Sequence, residues 1–435
     1  MKMHALIAAV IAAGSVSSAF AATHIDMMFP APVDGKLTVE MNKIIRHFNR
    51  DHKDIKVRPI FTGSYDTTKQ KAEAAAKAGH PPALVIMSAN YTVDLAINGE
   101  ILPMKALFKY GPDKNATRFL KTNFWKAVQK NAMYQGKAYA MPFHNSTPVL
   151  YYNKDLFKKA GISHPPQTWQ ELREDARKLT DHDHGRWGIM LPSTNNDYGG
   201  WVLSSFVHAN GGYFNNPDYP GEVYYNSVTT IGALSLYKNL IFKDKTMPKG
   251  VLDAKQIDAQ FLSGRLGMTV MSTGSLGFIR SHAKSFHLGV AMLPKNVRRG
   301  VIIGGASLVS FKGISDAQKK AAYTLLRYLI SPKINGQWSR FTGYFSPRKA
   351  AYDTPEMKSY LAKHPHALVA FHQLKYAYPW YSTYETVAVR QAMENQLAAV
   401  ISSANVTPKQ AAETAQKTAD RILAPYQKQT ALNQQ

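Results

Sequence analysis

Residues Ile55–Met87, IKVRPIFTGSYDTTKQKAEAAAKAGHPPALVIM, decide the fold class. Ile55 to Phe61 reads as a strand. Tyr65 to Lys77, rich in Ala and Lys, reads as a helix, and Ala83-Leu84-Val85-Ile86-Met87 as a buried strand. Just upstream, Leu37, Met41, Ile44, Ile45 and Phe48 fall on one face of a helix between Gly35 and Asn49. Strand and helix alternating in this way predict an α/β sheet with helices on both faces.

The alternation continues outward. Thr147 to Tyr152 is a strand, and Asp155 to Ala160 a short helix ended by Gly161. Pro165-Pro166 breaks the chain, and Thr168 with Glu171 has the spacing of a capping box. Strands are expected from Trp187 to Met190, Leu266 to Met271, Leu288 to Met292 and Val301 to Ser310. Helices are expected around Thr229–Lys243, Ala254–Leu262 and Ser275–Ala283. Beyond residue 315 the segments Asp316–Ile330, Ile334–Arg340, Pro355–Ala362, Thr386–Ser402 and Pro408–Leu423 all look helical. The length exceeds what one hydrophobic core usually serves, and no Pro/Gly/Ser linker separates two halves. Two lobes joined by several short crossings follow.

The N-terminus has the grammar of a secretory signal peptide: Lys2, an apolar run from Ala5 to Phe20, then Ala19-Phe20-Ala21 as a small-x-small cleavage pattern. The mature chain is expected to start near Ala22. The chain has no cysteine, which excludes disulfides, thiolate catalysis, cysteine metal sites and lipid attachment at an N-terminal cysteine. The formal net charge is +24, which favours anions. The Lys and Arg residues are scattered, with no long basic block, zinc-finger spacing or RNA-binding aromatic motif, so no nucleic-acid partner is expected.

Enzyme signatures are missing: there is no HExxH, Walker loop or GxGxxG. Thr273-Gly274-Ser275-Leu276-Gly277 lacks the first glycine of a nucleophile elbow. Asp181-His182-Asp183-His184 offers metal-type ligands, but no third and fourth ligand can be placed, and a solvated turn explains it. No cofactor or metal is expected. Three segments suit a ligand instead. Pro142–Thr147 enters a strand. Ser272-Thr273-Gly274-Ser275 opens a helix with free N–H groups and hydroxyls, a pattern equally that of a capped turn. Ile303-Gly304-Gly305-Ala306-Ser307 lets a ligand approach the backbone, or another strand pack closely.

These segments carry a resemblance. Phe143-His144-Asn145-Ser146-Thr147-Pro148-Val149-Leu150-Tyr151-Tyr152-Asn153-Lys154-Asp155 is similar to the crossing segment of the periplasmic sn-glycerol-3-phosphate-binding proteins. These belong to the maltose-binding-like group of ABC-transporter solute receptors. Pro166–Leu172, Ser272–Leu276, Ile302–Leu308, Phe341–Tyr344 and Lys349–Asp353 resemble the same proteins in the same order. The resemblance implies the two-lobed periplasmic binding protein fold, α/β, with a cleft between lobes and a helical C-terminal region. It implies residues 1–21 as signal peptide, 22–143 with 276–335 as the first lobe, and 144–275 with 336–435 as the second. It nominates Tyr65, Ser146, Ser272 and Gly305 as ligand contacts, with Tyr344 and Arg390 near a phosphate. Two departures bear on the ligand. Ala89 stands where the family has a glutamate, and Tyr198-Gly199-Gly200-Trp201 replaces a Trp-x-x-Trp pair. Tyr198 and Trp201 keep an aromatic floor that suits a cationic head group.

The expected function is therefore a periplasmic receptor, soluble and monomeric, without enzymatic activity. It would capture a small polar phosphorylated ligand, glycerol 3-phosphate or a glycerophosphodiester such as glycerophosphocholine, by hinge closure. It would then deliver the ligand to membrane ABC permease subunits. The alternatives are an oligosaccharide receptor of the same fold and a secreted hydrolase using Ser275 or Asp181–His184.

Overall fold

Parallel strands need a crossover connection, and the amphipathic helices near the N-terminus supply it. In the computed structural model, which describes residues 22–33, 35–194 and 198–432, the strands are β1 (Thr23–Phe29), β2 (Ile55–Phe61), β3 (Leu84–Ser88), β4 (Met133–Tyr134), β5 (Lys137–Ala138) and β6 (Met141–Ser146). They continue as β7 (Pro148–Asn153), β8 (Trp187–Met190), β9 (Leu266–Ser272), β10 (Leu288–Ala291), β11 (Val301–Val309) and β12 (Ala377–Pro379). The expected signal peptide, residues 1–21, lies outside the described residues.

The first sheet runs β12-β11-β3-β1-β2, with β6 also on β11. Helix Leu37–Asp51 connects the parallel pair β1 and β2, and helix Tyr65–Lys77 leads from β2 to β3, which pairs parallel with β1. The apolar face read from sequence is the buried one: Leu37, Met41, Ile44, Ile45 and Phe48 are all inside. The second sheet runs β10-β7-β9-β8. Each sheet has its own core: Phe48, Val85, Phe143 and Leu308 in the first, Leu150, Phe206, Val270 and Leu397 in the second.

The chain crosses between sheets where the sequence suggested. Strand β6 ends at Ser146 in the first sheet and β7 starts at Pro148 in the second, with Thr147 alone between them. Thr147 is held there: its N–H donates to Thr273 Oγ1 (3.2 Å), its carbonyl accepts from Thr273 N (3.1 Å), and its Oγ1 accepts from Gln373 Nε2 (2.9 Å). The chain returns between β10 and β11. It passes a third time through β12, on the edge of the first sheet, into helix Thr386–Ser402 of the second core.

This places the lobe boundaries differently from the expected ones. Leu276 and Ile279 pack with Val149 and Met271, and β10 pairs with β7, so residues 276–291 sit with the second sheet. Trp338, Tyr344 and Phe345 lie in the first core. Helix Pro332–Thr342 is tied to the first lobe by Asn335 Nδ2 donating to the Phe143 carbonyl (2.7 Å) and Gln337 Nε2 to Glu40 Oε1 (2.6 Å). Strand β1 was not predicted. Neither was helix Tyr198–Ala209, which is buried on every face from Gly199 on and so shows no amphipathic contrast. The expected capping box is half formed. Thr168 Oγ1 accepts from Glu171 N (3.2 Å), but the Glu171 carboxylate bonds Gln167 N (2.6 Å), one residue upstream.

Candidate functional site

Backbone geometry brings both lobes to one point. In β11, Gly305 has φ +104°, where side chains are rarely tolerated, and a Cβ there would lie 2.2 Å from the His144 carbonyl. Only glycine lets β11 and β6 run this close. A Cβ on neighbouring Gly304 would lie 2.7 Å from the Trp201 ring, so the indole rests on bare backbone, with its Nε1 donating to the Ile302 carbonyl (3.1 Å).

Around this point Tyr65, Tyr198, Trp201, Ser272, Gly305 and Tyr344 line a single cavity of about 100 Å³. Each is positioned by its element. Tyr65 opens helix Tyr65–Lys77, whose first turn is capped by Ser64 accepting from Thr67 N (3.2 Å). Ser272 ends β9, and its Oγ accepts from Gly274 N (3.0 Å), while the Tyr198 hydroxyl accepts the Ser272 N–H (2.6 Å). Burial pushes the Tyr198 phenol well up, so it stays neutral. Its ring meets Trp201 edge-on at 5.6 Å, 77° between planes. Gly343, in the left-handed region, ends helix Pro332–Thr342 and turns Tyr344 inward, where its ring covers Gly274.

Sequence reading missed Ser64, Thr194 and Trp380, which line the same cavity. Ser64 precedes a nominated residue and has N-cap chemistry. Trp380 lies after β12 in a segment with no pattern to flag it. None of the described lining residues carries a formal charge.

Ser146 and Arg390 stand elsewhere. Ser146 is buried in the ladder opposite Gly304 and is not on the cavity wall. Arg390, expected to grip a phosphate, is wholly buried and engaged by protein. Its Nη2 donates to Asp66 Oδ2 (2.7 Å), its Nη1 to the Tyr91 hydroxyl (2.9 Å) and its Nε to Glu394 Oε2 (3.1 Å). Two carboxyl groups flank the one guanidinium. Asp66 and Tyr91 come from the first lobe and Arg390 and Glu394 from helix Thr386–Ser402, so the network ties the lobes together. Burial raises Glu394 to about 7, against the opposing pull of Arg390. Ala89, at the position of the missing glutamate, is buried with its N–H on the Gly305 carbonyl (3.0 Å).

Among the described lining residues, a larger groove of about 450 Å³ shares only Trp380 with this cavity. It is walled by Tyr134, Tyr219, Tyr378 and Tyr426 and spanned by Lys130 Nζ on Asp218 Oδ1 (2.8 Å). The Asp181–His184 turn is exposed. His184 Nδ1 lies 2.9 Å from Asp181, which also pairs with Arg186, and no group of three metal-type side chains converges among the described residues. Ser275 is buried. No described helix is long and apolar enough to cross a membrane.

Comparisons with known proteins bear on the family and the fold. The model of the bacterial extracellular solute-binding protein family matches residues 43–366. The sn-glycerol-3-phosphate-binding periplasmic protein UgpB of Pectobacterium atrosepticum is 30% identical, the match covering 99% of this chain and 98% of the relative. UgpB of Escherichia coli O6:K15:H31 is 29% identical over 92% of each. Among solved structures, UgpB from Mycobacterium tuberculosis in complex with glycerophosphocholine aligns with TM-score 0.81 at 25% identity, covering 93% of this chain and 99% of that one. Maltose-bound T. maritima MalE3 aligns with TM-score 0.80 at 23% identity, over 92% of this chain and all of that one, a likeness of fold.

Proposed function

The chain belongs to the bacterial extracellular solute-binding protein family, and we propose that it captures a glycerophosphodiester, such as glycerophosphocholine, for an ABC importer. The observation that carries this reading is the make-up of the interlobe cavity: hydroxyl and backbone donors, an aromatic wall, and no formal charge among its described lining residues. A phosphodiester carries one negative charge, which neutral donors can hold. A phosphate monoester approaches two at neutral pH, since its second pKa is about 6. With Arg390 already held by Asp66 and Glu394, a second ligand charge would find no cation among the described lining residues. Tyr198, Trp201 and Trp380 suit the quaternary ammonium of a choline head group. Glycerol 3-phosphate is then the weaker ligand, in keeping with Ala89 where the family glutamate would accept its hydroxyls.

Contacts from both lobes would stabilise a closed state over an open one. Export by the segment 1–21, a monomeric state and delivery to permease subunits belong to the same reading. No bond is broken, so the buried Ser275 and the exposed Asp181–His184 turn need no catalytic role. The aromatic wall also favours a second reading, an oligosaccharide, although the described lining residues include no carboxylate to accept sugar hydroxyls. Calorimetric titration of the mature protein with glycerophosphocholine, glycerol 3-phosphate and maltose separates these. The diester should bind with one site per chain and at least about tenfold more tightly than the monoester. Tight maltose binding with no response to either phosphate ester would overturn the proposal.

A further inference from the structure

Arg348 is a buried cation that the capture of a ligand between the lobes does not use. Its backbone is fixed in the first lobe: Arg348 forms an isolated antiparallel bridge with Phe124, and its N–H donates to Ser346 Oγ (3.2 Å). The residue is only 7% exposed. Its guanidinium carbon lies 5.2 Å from the ring centres of both Phe119 and Phe124, two side chains of the first core. Nε and Nη1 are enclosed and meet no hydrogen-bond acceptor among the described residues.

Enclosing a charge without a hydrogen-bond partner is costly, and an arginine keeps its charge. Attraction to two ring faces offsets part of that cost but leaves the N–H groups unsatisfied. Burial and the neighbouring Arg327 lower Arg348 to about 10, against the opposing pull of Asp113, so it is still charged at neutral pH. An arginine with a bonded carboxylate shifts the other way: Asp244 raises Arg173. Arg327, in helix Asp316–Leu329, lies on the same Phe119 ring at 4.4 Å and donates through Nη1 to Asp113 Oδ2 (2.7 Å). That pair reaches the surface, its side chains 32% and 49% exposed. Phe119 also lines a groove of about 380 Å³, together with Asp113, Lys114 and Arg118. Lys114, Arg118, Arg327 and Arg348 thus share one neighbourhood with a single carboxylate, Asp113.

We infer that Arg348, with Arg327, Arg118 and Lys114, forms a second binding site, on the first lobe, for a small oxyanion such as phosphate. Guanidinium forks match oxyanions with parallel charge-assisted bonds. The rim of an aromatic ring is the positive side of its quadrupole, so Phe119 accommodates an anion at its edge while guanidiniums lie over its face. Asp113 holds Arg327 where the anion would bridge Arg327 and Arg348, and it therefore competes with the ligand. None of these residues lines the interlobe cavity, and the site stands independently of the ligand assigned there. The two places differ in charge: the cavity's described lining residues carry none, whereas a dianion finds its cations here.

Inorganic phosphate is the probe, with sodium chloride at matched ionic strength as the control. At about ten times its dissociation constant, phosphate should raise the wild-type melting temperature by about 3–6 °C. Arg348→Met keeps much of the volume and removes the charge. It should melt at or above wild type in phosphate-free buffer, lose the phosphate response, and bind glycerophosphocholine as wild type does. An equal phosphate response in wild type and variant is general salt stabilisation and overturns the inference. A variant that melts well below wild type without phosphate shows a charge already satisfied inside the protein, which also overturns it. Asp113→Asn should tighten phosphate binding about threefold; unchanged or weaker binding refutes an anion placed between the two guanidiniums. The Arg348 Nε–H NMR resonance, identified by its loss in R348K, should shift saturably as phosphate is added to wild-type protein. A resonance that ignores phosphate refutes the site even if R348M does not fold. Wild-type protein that binds phosphate here but ignores glycerophosphocholine sinks the cleft reading and leaves this one standing.

Discussion

Arg390→Met separates two roles for the same guanidinium. The side chain is completely buried, with Glu394 equally buried one helical turn away and Asp66 partly open to solvent across the lobe interface. Methionine keeps the volume and removes the charge. Breaking a buried pair from one side leaves the other charge uncompensated, at a cost of about 3–5 kcal/mol. At about 2–4 °C per kcal/mol for a lobe of roughly 200 residues, the melting temperature should fall by about 6–20 °C. Adding Glu394→Gln removes the carboxyl left without its cation and should recover a large part of the loss above pH 7, where Glu394 would otherwise be charged, because Asp66 can turn to water. Differential scanning calorimetry on the single and double variants reads this. Titration with glycerophosphocholine, well below both transitions, reads the ligand. If Arg390→Met melts like the wild type yet loses the ligand, the guanidinium serves the phosphate and the reasoning from its carboxylate partners is refuted.

Other consequences follow from the same geometry. Gly305→Ala puts a methyl 2.2 Å from the His144 carbonyl at a φ of +104°, and should destabilise the protein and abolish ligand binding in a thermal-shift assay. Tyr198→Phe strands the buried Ser272 N–H, and should cost about 1–3 kcal/mol in denaturant unfolding. Glu394, raised to about 7 by burial, holds its proton in the folded chain over a range where the unfolded carboxyl, near 4.5, has lost it. Its contribution is therefore full below pH 4.5 and is lost as pH rises through 7, by about 3 kcal/mol. His144, lowered to about 3, works the other way: its contribution is lost as pH falls below 6.5. Glu394→Gln should cancel the first trend and leave the second, seen as the difference between wild-type and variant stability from pH 4.5 to 7.5.

Much of this was legible because it is written locally. The apolar positions of helix Leu37–Asp51 repeat every three or four residues, and the same positions are buried. The crossing segment from Phe143 to Asp155 kept its family pattern, and Gly304-Gly305 announced a close backbone approach that the clash distances bear out. What stayed hidden is non-local. Residues 276–291 join the second lobe because β10 pairs with β7, a partnership set by sheet edges and not by composition. Helix Tyr198–Ala209 is apolar around its whole circumference, so the usual contrast between faces is missing. Arg390 and Glu394 are four apart on one helix, a spacing visible in the sequence. Asp66, the other carboxylate at that guanidinium, comes from the other end of the chain. The hydrogen bond from Trp338 to His144 is non-local in the same way, and Trp380 meets the cavity from a segment without regular structure.

A crystal structure of the mature protein with glycerophosphocholine tests the central claim most directly. The account predicts the phosphodiester between the lobes, within hydrogen-bond distance of the Tyr65 hydroxyl and the Ser272–Gly305 wall. The trimethylammonium should lie against Trp201 or Trp380, with the Arg390–Asp66 pair intact. A ligand seated in the outer tyrosine groove, or a phosphate bonded to an Arg390 that has released Asp66, would contradict it.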